Sequence, residues 1–308
     1  MHPLVSIITV NYRQAEITCD FLDSLKAIHY PNFELLLVDN GLLTDETARF
    51  HRHFPAAKVI NSPANLGFAG GNNLALRQAA GRYILLINND TLVPPDFLGP
   101  LVAVLEEHPR AGMVSPKIYF HDDPEKLQYA GTARIDYRTG RGTDPAKHAP
   151  DDGRFDQLRS ADFAHGACVL IRREMLEAVG LLREDYFMYY EELDLSVRAR
   201  AAGWDILFAP GSYIHHRESS SMGKTSPLKT YYMFRNRWLF MRRFGRGTDY
   251  AAFLTYFLLI GIPLNSGRFV VRGQWAHLRA LWRGFFWNLR HLGGSHPIPT
   301  LEPTPAVL

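Results

Sequence analysis

Cysteine is nearly missing from this chain. Its two thiols, Cys19 and Cys168, stand far apart among 308 residues and no CxxC occurs, which excludes a disulfide framework or thiolate zinc site and predicts a reducing compartment. The N-terminal MHPLVSIITVNY has neither a basic leader nor a long apolar core. It therefore reads as the first strand of a domain, with no secretion signal. Internal repeats at periods of about 20–50 residues and low-complexity tracts are absent too. With 46% hydrophobic and 21% charged residues, disorder and collagen-like repetition are excluded, and one large or two small domains with a substantial core are expected.

The small net charge of +3 hides an asymmetry. From Met222 onward, twelve Lys or Arg face two acids, a net of +10; the first 221 residues hold 22 basic and 29 acidic side chains, a net of −7. An acidic body is ordinary for a soluble enzyme, whereas a basic, aromatic-rich tail suggests nucleic acid or an anionic membrane.

Apolar runs at 5–10, 34–38, 59–60 and 83–87 alternate with helical stretches at 16–27, 44–53, 72–80 and 96–107. This βαβα order predicts a mostly parallel twisted sheet with helices on both faces. Residues 121–153, rich in Gly and Asp, read as a mobile insertion, and a second structured block begins near Phe163. Ligands of such sheets bind beyond the carboxyl ends of the strands. There the sequence puts Asn11, Asp39 and Asn88-Asn89-Asp90.

Asp39 after a buried strand can accept hydrogen bonds from a base or ribose, or simply cap a turn. Asn65-Leu66-Gly67-Phe68-Ala69-Gly70-Gly71-Asn72 can bring backbone N–H groups to an anion, or make a tight turn into a helix; it is neither a P-loop nor GxGxxG. Asp90 with amide neighbours suits a hard divalent cation that keeps few protein ligands. The run from Tyr186 to Arg198 sets Glu191, Glu192 and Asp194 behind aromatics that can raise a carboxyl pKa toward that of a useful base. Asp194 is expected to pair with Arg198 four residues on. His215 and His216 are adjacent, so one imidazole at most points inward from a strand.

Together these residues resemble the inverting family 2 glycosyltransferases, in particular the bacterial rhamnosyltransferase-like branch. The likeness covers residues 4–245 through VSIITVNYR, LLLVDNG, NLGFAGGNNLAL, YILLINNDT, GACVLIRREMLEAVG and YFMYYEELDLSVRARAAGW, in that order. It implies a GT-A type nucleotide-binding fold over residues 1–221, a nucleotide-sugar donor and Mn²⁺ or Mg²⁺. By the same resemblance Val10, Asn11 and Asp39 hold the nucleoside. Asn65, Gly70, Asn72 and Asn89 line the donor, with Arg235 as a cation beside it. Asp90 binds the metal that bridges the diphosphate, and the spacing to Ser220 favours His215 over His216 as a second ligand. The family's base is the second acid of a Glu-Asp pair, and Glu192 fills that place. Glu for Asp adds a methylene, so Glu191 stays beside Glu192 as a candidate base. Leu42 replaces the Ser usual after Asp-Asn-Gly, which leaves that loop its backbone groups for the nucleoside.

The implied chemistry is a single displacement with inversion, in which the base deprotonates an acceptor hydroxyl. No Ser-His or Cys-His arrangement offers a covalent nucleophile. Residues 222–308 are expected to form a helical, basic, membrane-associating region: Tyr250–Gly267 carries no charge, and 275–290 mixes Trp, Phe and Leu with Arg as an interfacial helix does. Arg235, Arg237, Arg242 and Arg243 can meet a lipid diphosphate. A lipid-linked saccharide acceptor in envelope polysaccharide synthesis, at the cytoplasmic face of the membrane, suits family and tail. Nucleic acid is disfavoured because the tail's aromatics sit in apolar runs. A non-catalytic nucleotide-sugar-binding module is the alternative that the Glu-Glu departure keeps open.

Overall fold

The computed structural model describes residues 2–217 and 226–292. Ser220 and the expected boundary at 221/222 lie outside the described residues. The first half alternates as its apolar pattern predicts: β1 (Val5–Asn11), α1 (Ala15–Leu25), β2 (Phe33–Asn40), α2 (Thr47–His53), β3 (Lys58–Ser62), α3 (Gly67–Leu76) and β4 (Tyr83–Ile87). Next come β5 (Thr91–Leu92), α4 (Leu98–Glu107), β6 (Ala111–Phe120), β7 (Leu127–Tyr129), β8 (Arg134–Asp136), β9 (Arg141–Thr143), β10 (Arg159–Ser160), β11 (Cys168–Arg172) and α5 (Arg173–Val179). A 3-10 turn at Glu184–Tyr186 leads to α6 (Glu191–Ala201) and β12 (Asp205–His216). The helices α7 (Pro227–Phe244), α8 (Gly247–Tyr256), α9 (Ile262–Val271) and α10 (Trp275–Arg290) follow, with the π-turn Phe257–Gly261 joining α8 to α9.

The fold is α/β, with one mostly parallel sheet in the order β10-β12-β6-β11-β4-β1-β2-β3. Strands β4, β1, β2 and β3 run parallel; β11 runs antiparallel between β4 and β6. Alternation along the central strands feeds two cores. Val5, Ile7, Leu35, Leu37, Leu85 and Ile87 join one cluster, while Ile8, Leu36, Val38, Ile84 and Leu86 join the other. Each strand is thus apolar on both faces, as a helix-covered parallel sheet requires.

Residues 121–153 are folded, contrary to the mobile insertion expected. Here β8 and β9 form a hairpin, and buried Lys117 on β6 reaches Asp151 and Asp156 at 2.7 Å each. Strand β12 also runs longer than the 205–209 run in the sequence. Pro210-Gly211 does not end it but sits in a register shift between Ala209 and Tyr213, the kind of place where a strand tolerates proline.

The helical tail shares the body's core. Phe234, Trp238, Phe240, Phe253, Phe257 and Leu281 belong to the same buried cluster as Val5 and Leu85.

Candidate active site

Strands β1, β2 and β4 end side by side because β1 pairs in parallel with both neighbours, Asn11 opposite Asp39. A buried polar chain crosses this edge. Asn89 Nδ2 donates to Thr18 Oγ1 at 2.8 Å, Thr18 Oγ1 donates to Asn11 Oδ1 at 2.9 Å, and Asn11 Nδ2 donates to Asp39 Oδ1 at 2.7 Å. Asp39 Oδ2 is buried without a partner. Burial pushes its carboxyl pKa up, against the Asn11 hydrogen bond. Asn11, Arg13, Gln14, Asp39, Gly41 and Arg49 help to line a cleft of about 470 Å³. Asn11, Asp39 and Asn89 are therefore brought together, whereas Val10 packs beneath α3 against Gly71.

The glycine-rich segment makes a turn rather than an open cradle. Asn65 Oδ1 accepts from the N–H of Gly67 at 2.9 Å and from Asn40 Nδ2 at 3.2 Å, and Asn40 Oδ1 accepts from the N–H of Leu66 at 2.8 Å. Gly70 packs on Leu66, and buried Asn72 turns its amide onto the Phe68 carbonyl at 2.9 Å. The N–H groups of Phe68 and Ala69 both donate to the Phe187 carbonyl, at 2.7 and 3.3 Å. Gly67, at φ 70°, is required because a Cβ there would overlap that oxygen. The N-terminus of α3 is thus closed by the segment that precedes the glutamate pair.

At the end of β4, Asp90 is 7% exposed and its Oδ1 is buried with no aligned hydrogen-bond donor. His216 Nε2 lies 3.1 Å from that oxygen, while His216 Nδ1 lies 2.7 Å from Gln128 Oε1. An amide oxygen only accepts, so Nδ1 carries a proton, and Nε2 faces both the carboxylate and, at 3.2 Å, the Asn88 amide nitrogen. Asp90 Oδ1 and His216 Nε2 are the two atoms that would hold a shared cation. Among the described residues no three His, Cys, Asp or Glu side chains gather at one place, so any metal here would draw further ligands from a diphosphate and water, as Mg²⁺ and Mn²⁺ sites commonly do. His215, the histidine favoured by spacing, is on the other face of β12. It stacks on Tyr119 at 5.6 Å and meets Tyr213 edge-on.

The glutamate pair starts α6, behind a distorted segment. Phe187, Tyr189 and Tyr190 have φ of 64°, 66° and 78°, each costing on the order of 1–3 kcal/mol for a residue with a Cβ. Phe187 centres a γ-turn, with the Met188 N–H donating to the Tyr186 carbonyl at 2.8 Å. Glu192 rests over Gly166, its Cγ 3.7 Å from where a Cβ on that glycine would stand, and the next carbonyl, Ala167, accepts from the Asn88 N–H at 3.0 Å. One turn therefore links the glutamate pair to the end of β4 that bears Asp90. Glu191 Oε2 and Glu192 Oε2 are both buried without partners. Burial raises both carboxyl pKa values. The neighbouring Glu192 charge raises Glu191 further, whereas backbone hydrogen bonds at the start of α6 partly offset the rise at Glu192. Of the two carboxyls, that of Glu191 is raised further. Asp194 pairs with Arg198 at 2.6 Å, as its spacing predicts.

Arg235 is not at the donor edge. It is 1% exposed, and its guanidinium is taken up by the carbonyls of Asp185 and Tyr186 beneath the aromatic rings of Tyr232 and Trp287. Thr18, Asn40, Gln128 and Asn236 each hold one part of these arrangements and were not among the candidate site residues read from the sequence. Thr18 and Asn40 carried a positional signal, one turn into the first helix and at the end of β2; Gln128 and Asn236 carried none.

A parallel half-sheet with a polar carboxyl edge, faced by an acid on a later helix, defines a nucleotide-binding fold of the GT-A type. The family model for Glycosyl transferase family 2 matches residues 6–180, more than half of the 308 residues, and the chain belongs to that family. The low-salt glycan biosynthesis hexosyltransferase Agl10 of Haloferax volcanii is 27% identical over 274 residues, 87% of this chain and 84% of its own length. The N-acetylglucosaminyl-diphospho-decaprenol L-rhamnosyltransferase of Mycobacterium tuberculosis is 25% identical over 246 residues, 73% of this chain and 79% of its own. A Sinorhizobium fredii protein is 29% identical over 81% of this chain, which spans 28% of that protein's length. Among solved structures, the mannosyltransferase PcManGT from Pyrobaculum calidifontis, in complex with GDP-Man and Mn²⁺, has a TM-score of 0.57 at 18% identity, covering 97% of this chain and 78% of its own. GalNAc-T7 with UDP, GalNAc and Mn²⁺ has a TM-score of 0.60 at 14% identity, covering 94% of this chain and 55% of its own.

Proposed function

We propose that this chain is an inverting glycosyltransferase that moves a sugar from a nucleoside-diphosphate donor to a hydroxyl of a saccharide acceptor, itself carried on a lipid diphosphate for envelope glycan synthesis. The observation that carries this reading is that one turn, at Gly166 and Ala167, touches both Glu192, whose Oε2 is buried without a partner, and, through the Asn88 N–H, the end of β4 that bears Asp90. Glu192 is the general base. It takes the proton from the acceptor hydroxyl while that oxygen attacks the anomeric carbon opposite the departing diphosphate.

Asn11 and Asp39 hold the nucleoside through the cleft they line, and Asn89 orders that edge through Thr18. Asp90 and His216 would hold Mn²⁺ or Mg²⁺, which when bound supplies positive charge for the leaving diphosphate. The relatives' names support the acceptor class: one acts on a decaprenol-linked saccharide and one in glycan synthesis.

Peripheral attachment to an anionic membrane suits the tail. Leu259 and Val271 are 71% and 88% exposed, and Arg268, Arg272, Arg279 and Arg283 are exposed beside them. The continuous helical stretch Gly247–Val271, of mean hydropathy 1.4, is long and apolar enough to cross a membrane. Its inner face, however, spends Phe253, Phe257 and Ile262 on the protein core, and α10 folds back so that Asn288 donates to the Arg235 carbonyl of α7. A helix so committed lies on a bilayer rather than through it.

The test is a panel of UDP-glucose, UDP-galactose, UDP-N-acetylglucosamine, GDP-mannose and dTDP-rhamnose, assayed for hydrolysis and transfer with Mn²⁺, Mg²⁺ or EDTA. Metal-dependent turnover of one donor, with inverted product, is expected. No turnover with any donor would return the chain to a binding module.

A further inference from the structure

Nothing inside residues 185–190 accounts for three aromatic residues in left-handed conformations. The cause lies on α7. Asn236 Nδ2 is directed at three carbonyls of this segment, those of Tyr186 at 3.0 Å, Met188 at 2.7 Å and Tyr189 at 2.8 Å. Beside it, Arg235 Nη2 donates to the carbonyls of Asp185 and Tyr186. Arg235 Nε also donates to Asn236 Oδ1 at 2.8 Å, which fixes the amide's orientation: its oxygen meets the guanidinium and its NH₂ meets the loop. Both side chains are essentially inaccessible to water, Asn236 at 0% and Arg235 at 1%.

The pair is itself braced from behind. Asn288 on α10 donates to the Arg235 carbonyl at 2.9 Å, and the Trp287 ring lies 4.7 Å from the guanidinium carbon. Gly284 lets the two helices approach, since a Cβ there would come within 2.8 Å of the Tyr231 carbonyl. A buried cation and a buried amide are expensive unless each polar atom is matched. Here they are matched to the backbone of one short segment, the one that ends at the base.

The geometry points to Asn236, oriented by Arg235, as the positioning residue that sets the approach of Glu192 by imposing the left-handed 187–190 backbone on an otherwise unfavourable sequence. This rests on the reading of Glu192 as base. Without the NH₂ template the segment relaxes to ordinary backbone angles and the first turn of α6 shifts. Neither Asn236 nor Arg235 needs to touch substrate. Because the Phe187 carbonyl also closes α3, the clamp fixes the base relative to the donor edge.

The experiment compares full-length Asn236→Ala with Ser226→Ala, which removes the cap of the same helix, where Ser226 Oγ accepts from the Lys229 N–H at 3.1 Å. With the donor found in the panel, Asn236→Ala should lower kcat by about 10²-fold, the penalty for a base displaced by about 1 Å, and leave the donor KM within about twofold. The acid limb of its kcat–pH profile should move, and amide hydrogen exchange over 186–193 should quicken. Ser226→Ala should lose comparable thermal stability while keeping kcat, pH profile and exchange in that segment. Equal effects in the two variants, or an Asn236→Ala defect confined to KM with an unmoved pH limb, would overturn the proposal. If Asn236→Ala does not fold, Asn236→Asp keeps the shape and removes the NH₂ donors, and the same readouts apply. Exchange reads the clamp without catalysis, so its failure is separable from that of the base: a fully active Glu192→Gln removes the base, and slow exchange in Asn236→Ala removes the clamp.

Discussion

The donor edge and the segment carrying the glutamates are held by opposite means. Asn11, Asp39 and Asp90 sit at the ends of strands whose parallel ladders and two-sided cores fix them; each position follows from its own strand. Glu191 and Glu192 follow residues that resist their own backbone angles, and side chains some 50 positions later hold them in place. The first arrangement tolerates change in its surroundings because the sheet supplies the geometry. The second stores strain beside the proposed base and depends on the helical tail.

The sharpest break in this comparison is within the glutamate pair. Glu192→Gln should retain donor binding and lose transfer by a factor of about a hundred or more, whereas Glu191→Gln, which replaces the carboxyl raised further by burial, should stay within a few-fold. Steady-state transfer rates with parallel donor calorimetry check it. On the donor side, Asp90→Ala should weaken metal-dependent binding of UDP or GDP by a factor of about ten or more, with binding in EDTA unchanged. Smaller again is the tail's effect: Arg268→Glu with Arg272→Glu should weaken liposome binding by about 1 kcal/mol per lost cation, visible as a flotation shift on anionic but not neutral vesicles.

The smallest effect is on stability against pH. Burial raises the Glu191 carboxyl pKa above its ordinary value of 4.5, so its contribution is fully present below that value and is lost as pH rises through the elevated one. Glu191→Gln cannot ionise. It should therefore melt higher than the parent at about pH 9 and show no such gain at about pH 4.

The contrast also explains what the sequence disclosed. Strands β1 to β4 and their polar ends were legible because a buried parallel strand is a continuous apolar run whose last residues face the ligand side. The acids of α6 were legible as a cluster behind aromatics. The choice of histidine was not, since spacing to Ser220 does not say which of two adjacent strand residues turns toward Asp90. Arg235 looked like a ligand for phosphate because charge is visible in a sequence and burial is not. Gln128 and Asn236 left no pattern, as a single amide reaching across the fold has no periodicity to betray it.

Metal-dependent donor binding is expected to hinge on Asp90 and His216 facing one another. Calorimetric titration of UDP and GDP, with and without Mn²⁺, into the parent protein, His216→Ala and His215→Ala measures that pairing. Metal-enhanced binding that disappears in His216→Ala and survives in His215→Ala is the predicted result. Enhancement that survives in His216→Ala and disappears in His215→Ala would contradict it.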